Sequence, residues 1–305
     1  MKKILYVVAI LLFTMISLCG CSEKLKINSL NLDFDFTIND TLEDGAGKQV
    51  KVIILAGQSN ATGVSHTNIL KEKISEEKYQ EYVNGYKNVY INYNTENGTN
   101  KSNGFVHTNI ESYHWFGPEI GMAEKLGQEN EEYYIIKYSY GGSNLYEHWK
   151  KENRCLYKGL VEFTNKSMNY LKSKNYNPEI IAMCWMQGES DAFGQTAKKY
   201  YNNTTKFVAS IREEFGDIKW IDAGISDSPY WKKYQTINAC KLRFSKLSDK
   251  NYYIDTIKEG LTYNLEPETN PDLAHYDTLS QIKLGHLFAE AVLHKHPLNT
   301  ASQDV

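Results

Sequence analysis

The chain has 305 residues, 41% of them hydrophobic and 23% charged, with Lys+Arg 34 against Asp+Glu 37. That balance excludes a disordered chain, and the length suffices for one large α/β domain or two smaller ones whose core needs no disulfide or metal. Residues 1–20 contribute only Lys2 and Lys3, so the remainder has a net charge of −5 rather than −3; with no basic stripe interleaved with aromatics, nucleic acid is not an expected partner.

Met1-Lys2-Lys3 is followed by the apolar run 4–18, too short for a comfortable bilayer span but suited to a signal-peptide core. The run ends in Leu18-Cys19-Gly20-Cys21, which resembles the bacterial lipoprotein signal: Leu three before a Cys, a small residue directly before it, and a thiol for diacylglycerol. The resemblance implies that residues 1–20 are removed and that a lipidated Cys21 anchors an exported protein to a membrane, facing outside the cytoplasm. A plain secretory signal with an incidental Cys is the alternative. Residues 21–49 mix charged residues with Asn, Asp, Gly45 and Gly47 and read as a tether. Beyond it only Cys155, Cys184 and Cys240 remain, an odd number without a C-x-x-C pair, so neither a disulfide framework nor a zinc site is expected. Cys184 lies in an apolar run and reads as a core residue.

Residues 50–56 are nearly all apolar and rich in β-branching, the mark of a parallel strand covered on both faces. Similar runs recur at 89–93, 133–138, 179–186, 218–225 and 252–257. Between them lie helical patterns: one begins near Pro118, and others span 156–174, 195–215 and 277–295. In the last, Leu284, Leu287, Phe288, Ala291 and Val292 form a single buried stripe. Residues 92–103 read as a polar loop. The alternation predicts an α/β fold, a three-layer α/β/α sandwich on a mainly parallel sheet, occupying residues 50–297 with a tail at 298–305. Ligands of such sheets sit beyond the carboxyl ends of the strands.

Three groups of residues follow strands there. Gly57-Gln58-Ser59-Asn60 comes directly after the first run, and Gly57 permits the tight turn that exposes Ser59 as a nucleophile; a serine at such a turn also serves as a helix cap. Position 61 is Ala, so the G-x-S-x-G elbow of α/β-hydrolases is not matched. Asp272-Leu273-Ala274-His275 precedes the final helix, at a spacing that lets the carboxylate hold the imidazole in the tautomer that takes a proton from a serine; a capping Asp beside a surface His is the other reading. Gly141-Gly142 and the loop Gln187-Gly188-Glu189-Ser190-Asp191 can bring backbone N–H groups and a side-chain amide to a substrate oxygen, although either is also an ordinary turn.

Gly57-Gln58-Ser59-Asn60, Phe116-Gly117-Pro118-Glu119, Gly141-Gly142-Ser143, Trp185-Met186-Gln187-Gly188-Glu189-Ser190-Asp191 and Asp272-Leu273-Ala274-His275 together resemble, in order and spacing, the blocks of the SGNH/GDSL hydrolases. More narrowly they resemble the branch of acetylxylan esterases and sialate O-acetylesterases, over about residues 50–295. The resemblance implies a flavodoxin-like SGNH fold, with Ser59 as nucleophile, His275 as general base and Asp272 as its orienting partner. It also implies an oxyanion hole of the Ser59 and Gly142 N–H groups and the Gln187 side chain, with Ser190 as the alternative to Gln187. Ala61, where Met is common, and Ser143-Asn144, where Thr-Ser is frequent, depart from the branch and bear on the substrate pocket. Glu189 and Asp191 read as loop supports.

The reaction so implied removes O-acetyl groups from carbohydrate through an acetyl-enzyme, with neither metal nor organic cofactor; His66, His107 and His114 have no metal-site spacing. A glycan-binding lipoprotein without turnover, a peptidoglycan or capsule O-acetylesterase, and a lipid acylhydrolase are the competing readings. The acetylated sugar and the oligomeric state are not legible.

Overall fold

The run after Gln49 forms β1 (Gln49–Gly57), in which every side chain from Val52 to Ala56 is fully buried, as a central parallel strand covered on both faces requires. The computed structural model describes residues 30–110, 115–152 and 156–293. After β1 come α1 (Ser59–Thr62), β2 (Ser65–His66), α2 (Thr67–Lys73), α3 (Glu76–Asn84) and β3 (Val89–Thr95). The short strands β4 (Asn100–Lys101) and β5 (Val106–His107) fold back on β3, β6 (Trp115–Phe116) pairs with β2, and α4 (Glu119–Leu126) leads into β7 (Tyr133–Ser139). The remainder is α5 (Leu156–Ser173), β8 (Asn177–Met186), α6 (Gly194–Phe215), β9 (Lys219–Ala223), α7 (Tyr234–Ser245), β10 (Asn251–Ile254) and α8 (Thr278–Val292).

The main sheet runs β10-β9-β8-β1-β7-β3-β4, and every pair from β10 to β3 is parallel. From β1 the chain first winds toward β3, fills in β7, and then crosses to β8 on the opposite side, so the winding reverses at β1 and opens a crevice at its carboxyl end. The register is shared: Gly57 pairs with Ser139 and Met186, and Thr95 with Ser139. Gln58, Glu96, Tyr140 and Gln187 therefore each begin a loop at one edge.

Helices cover both faces. Leu284, Leu287, Phe288, Ala291 and Val292 of α8 are buried as one stripe, and α8 crosses α4 so closely that a β-carbon at Gly121 would overlap the Ile282 carbonyl and one at Gly285 the Pro118 carbonyl. On the other face Trp185 of β8 has ring centroids 5.1 Å from Trp149, 4.8 Å from Phe207 of α6 and 5.7 Å from Trp220 of β9. Each such buried aromatic contributes up to about 3 kcal/mol, which fixes α6 to the sheet. The result is the three-layer sandwich.

Two sequence readings change. The described part of the tether, residues 30–48, lies against the domain: Phe36 and Leu42 are buried, Phe36 meets Phe163 edge-on at 5.6 Å, and Lys174 pairs with Asp40 at 2.6 Å. Apolar residues interspersed among the charged ones bury as a strap, which composition alone conceals. The polar stretch 92–103 is a hairpin of β3 and β4, because Asn92 satisfies its buried amide with Ser167 at 3.0 Å and Ser102 at 2.9 Å. Residues 1–20, Cys21, His114, Cys155 and the tail 298–305 lie outside the described residues. Cys184 is a core residue whose thiol is pushed up by burial.

Candidate active site

The turn after β1 is set by Gly57, at φ +145, where a β-carbon would collide with the Met186 carbonyl. Only glycine fits. Ser59 follows as the first residue of α1, whose N-cap position is Gln58, and the Ser59 hydroxyl caps nothing. The capping role is thereby removed. Gln58 instead turns inward, its Oε1 accepting the N–H groups of Gly188 (3.3 Å) and Ser190 (3.2 Å), which ties the Ser59 turn to the loop after β8.

Asp272 Oδ2 lies 2.7 Å from His275 Nδ1, and Asp272 Oδ1 accepts the Ala274 N–H at 2.9 Å. The N-cap of α8 is Asp277, so Asp272 is not a helix cap either. Burial raises the Asp272 carboxyl, but the hydrogen bond and charge of His275, together with N–H donors from Ala274 and His275, outweigh it and hold the group below the ordinary carboxylate value. With Nδ1 engaged, Nε2 is the ring nitrogen left to accept a proton. The bond that joins this loop to the Ser59 turn comes from Asn60: its Oδ1 accepts the N–H of Tyr276, next to His275, at 3.1 Å, and its backbone carbonyl accepts Gln281 Nε2 at 2.8 Å.

The loop after β7 faces the same point. A β-carbon on Gly141 would lie 3.7 Å from that of Ser59, and Gly142 has φ +67. The N–H groups of Ser59 and Gly142 donate to no acceptor among the described residues, as two donors kept for a ligand would. Gln187 differs from the expectation. Its side chain is fully buried, and Nε2 donates to Asp191 Oδ2 at 2.7 Å and to Gln58 Oε1 and Ser143 O at 3.2 Å each, while Tyr200 donates to its Oε1 at 3.2 Å. Two amide protons with three acceptors leave none for an oxyanion, so Gln187 braces the three loops here.

The acids behave as supports. Asp191 accepts the N–H groups of Leu145 (2.6 Å) and Tyr146 (3.2 Å), although burial still pushes it up to about 6. Glu189 is buried and likewise raised by burial, and its Oε1 accepts Asn60 Nδ2 at 2.7 Å. Two buried lysines sit below the edge. Lys241 joins Asp222 and donates to the Gln187 carbonyl at 2.6 Å, and Lys137 joins Glu119 at 2.7 Å and donates to the Thr62 carbonyl at 2.7 Å. Sequence reading missed Gln58 and Asn60 as braces, both lysines, and Glu96, whose Oε1 accepts the Gly141 N–H at 2.7 Å. The signal in hand was Lys137 inside the otherwise apolar run 133–138; α7, which carries Lys241, is mixed in polarity and offered none.

An α/β/α sandwich that gathers a turn serine, an Asp–His pair and uncommitted N–H donors at the switch point of its sheet is a protein of the SGNH esterase type. The family model described as carbohydrate esterase, sialic acid-specific acetylesterase matches residues 49–294, and the chain belongs to that family. No curated protein matches it by sequence. Among solved structures it is similar to a protein from Arabidopsis thaliana (19% identity, 80% of this chain and 98% of that one, TM-score 0.61). It is also similar to NanS (14%, 82% and 98%, TM-score 0.57) and to a carbohydrate acetylesterase from Xanthomonas citri (13%, 80% and 56%, TM-score 0.51). At such identities the likeness is one of fold.

Proposed function

We propose that this carbohydrate esterase removes O-acetyl groups from sugars with Ser59 as nucleophile, His275 as base and Asp272 as the group that orients and charges the imidazole. The observation that carries the reading is the bond of Asn60 to Tyr276, which joins the residue after Ser59 to the residue after His275, across from the uncommitted N–H groups of Ser59 and Gly142. Ser59 Oγ attacks the acetyl carbonyl while its proton passes to His275 Nε2; the N–H groups of Ser59 and Gly142 receive the developing oxyanion. Collapse returns that proton to the departing sugar oxygen and leaves an acetyl ester on Ser59. Water, deprotonated by His275, then releases acetate and restores the serine. Ser59→Ala should abolish release of acetate from an aryl acetate and from acetylated xylan, with the circular dichroism melt unchanged; near-wild-type activity in that variant sinks the assignment.

The signal-like residues 1–20 and Cys21 support an exported protein held at a membrane surface by lipid. Cys21→Ser should move it from the membrane to the soluble exported fraction, and a processed variant that stays with the membrane rules the anchor out.

A further inference from the structure

Glu96 belongs to none of the motifs, yet the β3–β7–β1 register sets it one residue past the carboxyl edge, two strands from the nucleophile. Glu96 (φ +52) and Asn97 (φ +55) both hold left-handed backbone without being glycine, a strain that persists where the surroundings impose it and that clusters at functional sites. Oε1 is occupied by the Gly141 N–H at 2.7 Å and the Thr62 hydroxyl at 3.2 Å. Oε2 accepts nothing from the described residues. It borders the same space as the nucleophile: the point a Gly141 β-carbon would occupy is 3.8 Å from Oε2 and 3.7 Å from the Ser59 β-carbon.

Two further carboxyls are tied to the site, Glu189 through Asn60 and Asp272 through His275. The lysines below the edge are buried against Glu119 and Asp222. The described arginines are engaged elsewhere, Arg212 on the Ile218 carbonyl and Asn251, Arg243 over the Tyr201 ring. A substrate carboxylate is best held by a guanidinium fork, and here it would meet Glu96 instead.

We propose that Glu96 is a specificity-determining residue that selects neutral acetylated sugars over anionic ones, its free Oε2 accepting a sugar hydroxyl and repelling a substrate carboxylate. This rests on the acetylesterase reading above and names the charge class of its substrate. The test compares kcat/KM at pH 8, for the wild type and Glu96→Gln, on the matched pair methyl 4-acetoxybenzoate and 4-acetoxybenzoate, each divided by its hydroxide-catalysed rate, and on acetylated xylo-oligosaccharide against an O-acetylated sialic acid. The ratio within each pair cancels any general loss of activity or of folded protein. The wild type should favour the neutral member by about tenfold, the effect of one like charge at partly screened short range. Glu96→Gln keeps an oxygen for Gly141 but not the charge, and should bring the matched-pair ratio to within about twofold of unity. A wild-type ratio near unity, or a preference that Glu96→Gln leaves in place, overturns the proposal. Absence of Ser59-dependent hydrolysis of both aryl acetates would instead overturn the esterase reading on which it rests.

Discussion

Replacing Asn60 by Ala tests whether the two halves of the site are held together as the geometry indicates. The change removes a bond of 2.7 Å to the buried Glu189 carboxyl and one of 3.1 Å from the Tyr276 N–H, while the backbone bond to Gln281 is untouched. Glu189 Oε2 already has no hydrogen-bond partner, so the variant leaves the whole carboxyl without a side-chain donor. A bond to a charged group contributes roughly 1.5–3 kcal/mol and a neutral one roughly 0.5–1.5, which together predict a loss of about 3 kcal/mol. For a domain of this size that corresponds to a fall in Tm of roughly 6–12 °C. The His275 loop would also lose its tie to the Ser59 turn, and misplacement by about 1 Å is enough to lower kcat some hundredfold. The assay is a circular dichroism melt at pH 7 together with kcat and KM on 4-nitrophenyl acetate, measured well below the variant's Tm. Lower Tm and kcat with little change in KM are expected. A Tm within about 2 °C of wild type and kcat within about twofold would refute the reasoning, since both numbers derive from the same two bonds.

Gln187→Ala should lower Tm, because Asp191 and Gln58 lose a shared donor, yet reduce kcat by far less than the roughly hundredfold to thousandfold that follows loss of an oxyanion donor. A loss of that full size with an unchanged melt would return Gln187 to the oxyanion hole. Glu124 of α4 accepts from Lys78 (2.6 Å), Tyr82 (2.6 Å) and His286 (2.7 Å). Burial pushes its carboxyl up, but these donors and the His286 charge overcome it and take the group from the ordinary 4.5 down to about 2. Because the folded value is depressed, the stabilisation is present above the unfolded carboxyl's pKa and is lost as pH falls from there toward 2. Glu124→Gln should therefore cost about 3 kcal/mol at pH 7 in a urea titration and little near pH 2; equal losses at both would exclude a charge effect.

The layered fold was legible because its signal is local. Apolar runs of strand length at 50–56, 133–138 and 179–186, and the 3.6-residue stripe of Leu284, Leu287, Phe288, Ala291 and Val292 that follows them, specify buried parallel strands and half-buried helices through side-chain period alone. The boundaries shifted where tertiary contacts intervened: β9 is shorter than the run 218–225 that contains it, β10 starts one residue before the run 252–257 and stops at Ile254, and the polar stretch around Asn92 became sheet once Ser167 and Ser102 met its amide. Composition likewise concealed Phe36 and Leu42, which turn part of the expected tether into a strap on the core.

For the site, the sequence by itself determined the residue types that chemistry requires, Ser59 after a glycine turn and Asp272 three residues before His275, because turn geometry and Asp–His spacing are short-range properties of the chain. Only the tertiary structure decided what those residues meet. The donors and acceptors that hold the loops join positions 129 residues apart for Asn60 and Glu189 and 216 apart for Tyr276 and Asn60. It was at that level that Gln187 proved to be a brace with both amide protons engaged, and that Glu96, from a hairpin read as loop, came to accept the Gly141 N–H at the edge that carries Ser59. A residue's type states what it can donate or accept, while its partner is set by the strand order that brings distant loops to one edge.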